Sequence, residues 1–347
     1  MKMRRRTFCA AAAAGVRQIR AVQTKTPLRI GIDLFSLRNQ DWTPFEHLDY
    51  CARQKVQVVH FSEIRFLGGL EEAHLKKVRE HADRLGIQIE VGMRSICPTS
   101  SAFDPKQGTA EEQLARMLDA ARILGSPIVR AFLGHGGDRR GKLSIDEHIE
   151  NAVKVLRTSR ARILGSGLKI AIENHAGDMQ AREVKTLIEE AGTDIVGSCL
   201  DSGNPLWAIE DPHLTLETLA PYVLTSHLRD SAVWRTAEGS AVQWVRLGEG
   251  NVGIDRYLSR FAELCPGKTV SLEVIVTGPV AQRFMEPGFW QAYRKTPAWE
   301  FARFLALAER GKPRQAPVPA ASKQETAARE REDLEASLRW LREWRNS

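Results

Sequence analysis

No stretch of the 347 residues approaches the run of about 18 apolar residues that a membrane-crossing helix needs. Cysteine is sparse and unpatterned. Cys9, Cys51, Cys97, Cys199 and Cys265 form no C-x-x-C pair, which excludes a zinc ribbon or knuckle. Cys51, Cys199 and Cys265 sit in apolar runs and read as buried core thiols. Cysteine usage leaves the cellular compartment open. Glycine is missing where a dinucleotide-binding sheet would need it, because the first strand candidate runs on into Asp33-Leu34-Phe35-Ser36-Leu37-Arg38. Histidine is absent after His227.

An excess of positive charge is also missing from the body of the chain. The formal charge is +7, but residues 1–29 hold eight basic residues and no acid. The rest carries 42 basic against 43 acidic residues, so a nucleic-acid partner loses its electrostatic support. Within this leader (residues 1–28), Arg5-Arg6-Thr7-Phe8 and the Ala-rich run to Gly15 resemble a twin-arginine export signal. Arg17 and Arg20 cut its apolar segment short, so a disordered basic start is the alternative. The protein is periplasmic if the signal acts and otherwise cytoplasmic.

What the chain does have is alternation. Strand-like runs at 28–34, 56–62, 87–93 and 128–133 alternate with helical patterns at 44–54, 70–85, 110–124 and 145–164. Gly86, Gly125 and Gly165 stand at the ends of those helices, as C-terminal caps do. Four more strand runs follow, with helices expected near 181–191, 214–219, 254–264 and 298–309. Eight β–α units imply a (β/α)8 TIM barrel over residues 29–310; an open doubly wound sheet is the alternative. Long connections at 230–253 and 278–297 carry Trp234, Trp244, Phe289 and Trp290 and read as folded flaps on the catalytic rim. Residues 311–322 read as a Pro/Ala-rich linker. Residues 324–345 read as an amphipathic helix with Leu334, Leu338, Leu341 and Trp344 on one stripe. Together 311–347 form a C-terminal helical extension, packed on the barrel or on a second subunit of a homo-oligomer.

The last four barrel strands end alike. Lys169-Ile170-Ala171-Ile172 leads to Glu173, Gly197-Ser198-Cys199-Leu200 to Asp201, Leu224-Thr225-Ser226 to His227, and Val270-Ser271-Leu272 to Glu273. Buried parallel strands are nearly continuous apolar runs, and their C-terminal ends face the active site of a barrel. Three carboxylates at one mouth would repel each other and raise each other's pKa, which a divalent cation relieves. Carboxylates with one imidazole suit Mn2+, Mg2+ or Co2+, with Zn2+ or Fe2+ as alternatives.

Ile172-Glu173-Asn174-His175, Leu200-Asp201-Ser202-Gly203-Asn204-Pro205-Leu206, His227-Leu228-Arg229-Asp230, Leu247-Gly248-Glu249-Gly250 and Leu272-Glu273 together resemble the xylose-isomerase-like barrel superfamily, in its sugar isomerase/epimerase branch. The resemblance implies a metal held by Glu173, Asp201, His227 and Glu273, with Glu173 and Glu273 also moving protons. It implies isomerisation or epimerisation of a sugar or keto-sugar through a metal-stabilised enediolate. The rival is a lyase on the same site, inosose dehydratase-like or eliminating a keto-glycoside; a non-catalytic sugar-binding barrel is a third reading. Asn204 stands where many epimerases and nucleases of the superfamily carry a His, so the endonuclease IV-like branch is a poor match. Other candidates for substrate contact are Asn204, His175, Arg229, Glu63 and His135, with Trp234, Trp244 and Trp290 from the flaps. Arg229 suits a carboxylate or phosphate, or a pairing with Asp230; Arg94 and Arg130 suit acids of the barrel wall. Thr277-Gly278 is a poor phosphate loop, so an unphosphorylated small-molecule sugar is expected.

Overall fold

The computed structural model describes residues 28–346. The leader, with Cys9 and the expected export signal, lies outside them apart from Leu28. Leu28 is 5% exposed and belongs to the core.

Eight parallel strands close into a barrel. They are β1 (Arg29–Asp33), β2 (Val58–Phe61), β3 (Gln88–Ser95), β4 (Ile128–Phe132), β5 (Lys169–Glu173), β6 (Val196–Asp201), β7 (Val223–Leu228) and, after an inserted hairpin, β10 (Thr269–Leu272). β10 pairs with both β7 and β1, which leaves no edge strand in the ring. Helices between the strands start where the sequence provides reciprocal caps, at Thr43 with Glu46, Thr109 with Glu112 and Ser144 with Glu147.

Strand parity sorts the side chains. Ile30, Ile32, Val59, Phe61, Val129, Ile170, Ile172, Leu200 and Leu272 join the helices in one apolar core. The other parity presents Asp33, His60, Glu90, Arg130, Glu173, Asp201 and His227, all buried. These reach one another across the ring, as Thr225 on β7 does Glu90 on β3 at 2.7 Å. The barrel interior below the rim is therefore polar.

Two expectations are corrected, and a third, the folded flap, gains its form. The helix expected over 145–164 is two helices, Ile145–Thr158 and Arg160–Ser166, sharing Ser159 as a cap. It closes at Gly167, whose φ of 71° is the left-handed conformation glycine tolerates, and Gly165 lies inside the helix. The connection at 230–253 begins as a hairpin, β8 (Asp230–Thr236) and β9 (Gly239–Val245), which β11 (Val280–Gln282) extends to three strands. Finally, the expected eighth barrel helix, Ala298–Arg310, packs on β8 because Phe301 and Phe304 dock on Phe284. The C-terminal helix Lys323–Asn346 instead covers β10 and the turn after β1. Its Leu334, Leu338 and Leu341 are buried against this chain's own barrel. Glu330 fastens it by accepting hydrogen bonds from Asn39 N at 3.0 Å and Asn39 Nδ2 at 2.6 Å.

Candidate metal centre

Glu173 and Asp201 are the last residues of β5 and β6, and His227 pairs in register with Asp201 on β7. Glu273 follows β10 and continues its ladder through its N–H, which donates to Leu228 O at 3.1 Å. One ligand atom from each of the four lies within 4.8 Å of the others. All four side chains are at most 4% exposed. His227 Nδ1 stands 2.9 Å from Glu273 Oε2 and 3.3 Å from Glu173 Oε2. Among the described residues, His227 Nδ1 and Glu273 Oε2 make no hydrogen bond. Two buried lone-pair atoms aimed at one point, with two more carboxylates beside them, fit a hard divalent cation.

Two arginines share the site. Arg229 Nε donates to Asp201 Oδ2 at 2.8 Å and its Nη2 pairs with Glu273. Its guanidinium lies 4.4 Å from the Trp244 ring, and Nη1 has no partner among the described residues. Arg130 pairs with Glu173. Two guanidiniums against three carboxylates leave one formal negative charge, which a protonated His227 offsets: burial lowers its imidazole, but Cys199, Glu173, Asp33 and Glu273 outweigh it and hold it well above the usual range. Burial raises the carboxyl of Glu273, but Arg229 and His227 outweigh it and bring it down to about 2. Burial is likewise outweighed at Glu173, by Arg130 and His227, and it is held well below the usual range. Asp201 is pushed up to about 6, because burial exceeds the pull of Arg229.

The expected substrate contacts divide. Asn204 joins the site: its Nδ2 donates to Glu173 Oε1 at 3.0 Å and to Asn174 O at 2.9 Å, and its Oδ1 is free among the described residues. Arg229 joins it through Asp201 and Glu273. It does not pair with Asp230, whose carboxylate accepts from Gly248 N at 2.9 Å and Gly250 N at 3.0 Å. Trp244 joins it through Arg229. His175 stacks on Phe132 at 4.0 Å, with His135 tilted 5.0 Å away; burial brings His175 down to about 4. Glu63 sits in a turn and pairs with Arg65. Trp234 is buried among Ala232, Ala241 and Val245 of the hairpin sheet. Trp290 donates to Phe284 O at 2.8 Å and packs edge-on against Phe301, as a loop anchor does. Arg94 is exposed, unlike Arg130.

Sequence reasoning passed over Asp33, His60 and Trp207. Asp33 ends β1 as Glu173 ends β5, and His60 is a lone polar residue in the apolar run Val58-Val59-His60-Phe61. Both are at the inward parity, which was the available signal. Trp207 lies 4.4 Å from Trp244, ring to ring, a contact only the folded loops create.

A family model described as xylose isomerase-like TIM barrel matches residues 17–290. The 3-oxo-isoapionate decarboxylase of Pectobacterium atrosepticum is 26% identical over 188 residues, 54% of this chain and 61% of that protein. The chain thus spans about three fifths of the length of this curated relative. D-psicose 3-epimerase of Clostridium cellulolyticum H10, solved with D-tagatose, superposes with a TM-score of 0.57 at 12% identity, over 81% of this chain and 96% of that one. The IolI protein with a bound zinc atom gives a TM-score of 0.56 at 16% identity, over 81% and 96% of the two chains. At such identities these two solved structures share the fold.

Proposed function

We propose, from the premise that this chain belongs to the xylose isomerase-like TIM barrel family, that it is a divalent-metal-dependent isomerase or epimerase of a sugar or keto-sugar. The observation that carries this reading is the convergence of Glu173, Asp201, His227 and Glu273 within 4.8 Å, with the two glutamates on strands separated by β6 and β7. A cation such as Mn2+, Mg2+ or Co2+ held by these four would polarise a substrate carbonyl and lower the cost of removing the neighbouring C–H proton.

The protein's own groups divide the remaining work. Glu273 is ionised at neutral pH; its Oε2 lies on the cation side, so Oε1, released as Arg229 turns to the substrate, is the atom set to take the proton. Glu173 has both oxygens engaged, by Arg130 and Asn204, and these bonds hold it as a fixed anion. The proton that Glu273 takes therefore returns from Glu273 itself, with Glu173 as the fixed anion beside the cation. The free Oδ1 of Asn204 accepts from a sugar hydroxyl, and Arg229 Nη1 donates to a substrate oxygen. Trp207 and Trp244 offer paired ring faces to the C–H side of a sugar.

A second reading is a lyase or decarboxylase on the same site. A buried guanidinium whose Nη1 has no partner among the described residues fits a substrate carboxylate, and one curated relative is by its name a 3-oxo-isoapionate decarboxylase. One experiment separates the two. The purified chain is loaded with Mn2+, and candidate keto-sugars and 3-oxo sugar acids are followed by NMR in D2O. Deuterium at the carbon next to the carbonyl, with skeleton and oxygens retained, supports the isomerase or epimerase. Loss of water, an alcohol or carbon dioxide supports the second reading. Neither change with any candidate would leave the site without a proton-transfer role and remove both.

A further inference from the structure

We infer that Asp33 and His60 are positioning residues that fix which nitrogen of His227 faces the metal. This rests on the reading of Glu173, Asp201, His227 and Glu273 as a metal centre.

The imidazole of His227 has two different sides. Nδ1 faces Glu273 and Glu173, at 2.9 and 3.3 Å. Nε2 faces away from them, 3.0 Å from His60 Nδ1 and 3.1 Å from Asp33 Oδ2. An imidazole that gives one nitrogen's lone pair to a cation must carry its proton on the other. At 1% exposure that N–H needs an acceptor inside the protein. His60 Nδ1 is the aligned acceptor, and Asp33 Oδ2 lies beside the same proton. Asp33 itself is held from its other oxygen, where Oδ1 accepts from Phe35 N at 2.6 Å and Ser62 Oγ at 2.8 Å. Oδ2 makes no hydrogen bond of standard geometry among the described residues, which leaves it turned to the His227 ring.

The strands explain why this arrangement exists. Asp33 and His60 are register partners on β1 and β2, while His227 comes from β7 on the far side of β10. The ring can reach them because the intervening wall is small: Ser271 is the register partner of His227 on β10, and Gly31 is that of Ser271 on β1. A Cβ at Gly31 would stand 2.4 Å from Ser271 Oγ, so no larger pair fits between them.

The same three atoms, Asp33 Oδ2, His60 Nδ1 and His227 Nε2, are close enough to hold a cation of their own. His227 would then bridge two cations and lose its N–H proton. The orienting role needs no such loss and is the one we assign.

Calorimetric titration of the full chain with Mn2+ tests it. Wild type is expected to bind one ion. Asp33→Ala and His60→Phe are each expected to weaken binding by roughly 10–100-fold. Asp33→Asn, which keeps an acceptor oxygen, is expected to recover most of the loss; a merely structural role for Asp33 would not follow acceptor chemistry. His60→Phe keeps the ring volume and guards against misfolding at the Asp33 turn. Unchanged Mn2+ affinity in both folded variants overturns the inference while leaving the metal centre in place. Two ions per wild-type chain overturns it in favour of a second cation site. No Mn2+ binding by wild type removes the metal-centre reading itself, and the inference with it.

Discussion

Glu173 and Glu273 carry the same carboxylate in different surroundings. Arg130 and Asn204 occupy both oxygens of Glu173, whereas Glu273 pairs with Arg229 on Oε1 and faces His227 Nδ1 with Oε2. Glu273→Gln keeps shape and one ligand oxygen but removes the proton acceptor. It is expected to lower kcat by about 100-fold or more, with an unchanged circular dichroism spectrum; a rate near wild type would place the base elsewhere. A carboxyl remote from this chemistry reports mainly on burial. Glu210, 2% exposed, accepts from Ala181 N and Thr215 Oγ1 and is pushed up to about 7 by burial. Its folded pKa lies above the unfolded one, so the folded state binds the proton more tightly. Its contribution to stability is full below about pH 4.5 and is lost as pH rises through about 7. Glu210→Gln keeps a neutral acceptor at every pH. From pH 4.5 to 8 the variant is expected to gain on wild type by something on the order of 3 kcal/mol. Urea denaturation at the two pH values checks this, and parallel curves would mean Glu210 ionises freely in the fold.

The aromatics of the rim show how an element decides what a side chain does. Trp244 on β9 lies against Arg229 and reaches Gly203 O with its Nε1 at 3.2 Å, so the hairpin delivers it to the metal centre. Trp290, in the 3₁₀ turn Pro287–Tyr293, faces Phe284 and Phe301 instead. Trp244→Ala is therefore expected to raise KM by roughly 3- to 30-fold, the equivalent of about 0.5–2 kcal/mol of ring–guanidinium contact. Trp290→Ala is expected to lower the melting temperature with little change in KM. Steady-state kinetics beside thermal melts would expose a reversal of the two.

For the whole molecule, a cation held by the buried acids would couple its binding to folding. Three carboxylates and an imidazole gather only when the barrel closes, so a cation prefers the folded chain. Mn2+ at 100 times its dissociation constant is expected to stabilise the protein by about 2.7 kcal/mol, with a higher melting temperature that a chelator reverses. A melt indifferent to both would mean that the four side chains hold no metal. The C-terminal helix belongs to the same closed unit, because it covers β10 and the turn leading from Asp33.

The sequence alone determined the barrel and the four strand-end residues. Both follow from short-range rules: buried parallel strands are apolar until they emerge, and strand–helix alternation forces a parallel sheet. Helix ends were legible where a cap is local, as at Gly125, but not at Ser159, where two helices share one residue. Only the tertiary structure decided what depends on closing the ring. Asp33 and His60 are ordinary polar residues until β10 brings β1 beside β7 and puts them behind His227. Of the readings open for Arg229, a substrate anion or its neighbour Asp230, the second fails because a strand sends adjacent side chains to opposite faces, and Arg229 meets Asp201 and Glu273 across the mouth. The expected eighth helix packs on β8, where Phe301 and Phe304 meet Phe284 just beyond β11, and the chain's last helix covers β10. Contacts between residues distant in sequence carry no local signature, and the metal centre's supporting groups are contacts of that kind.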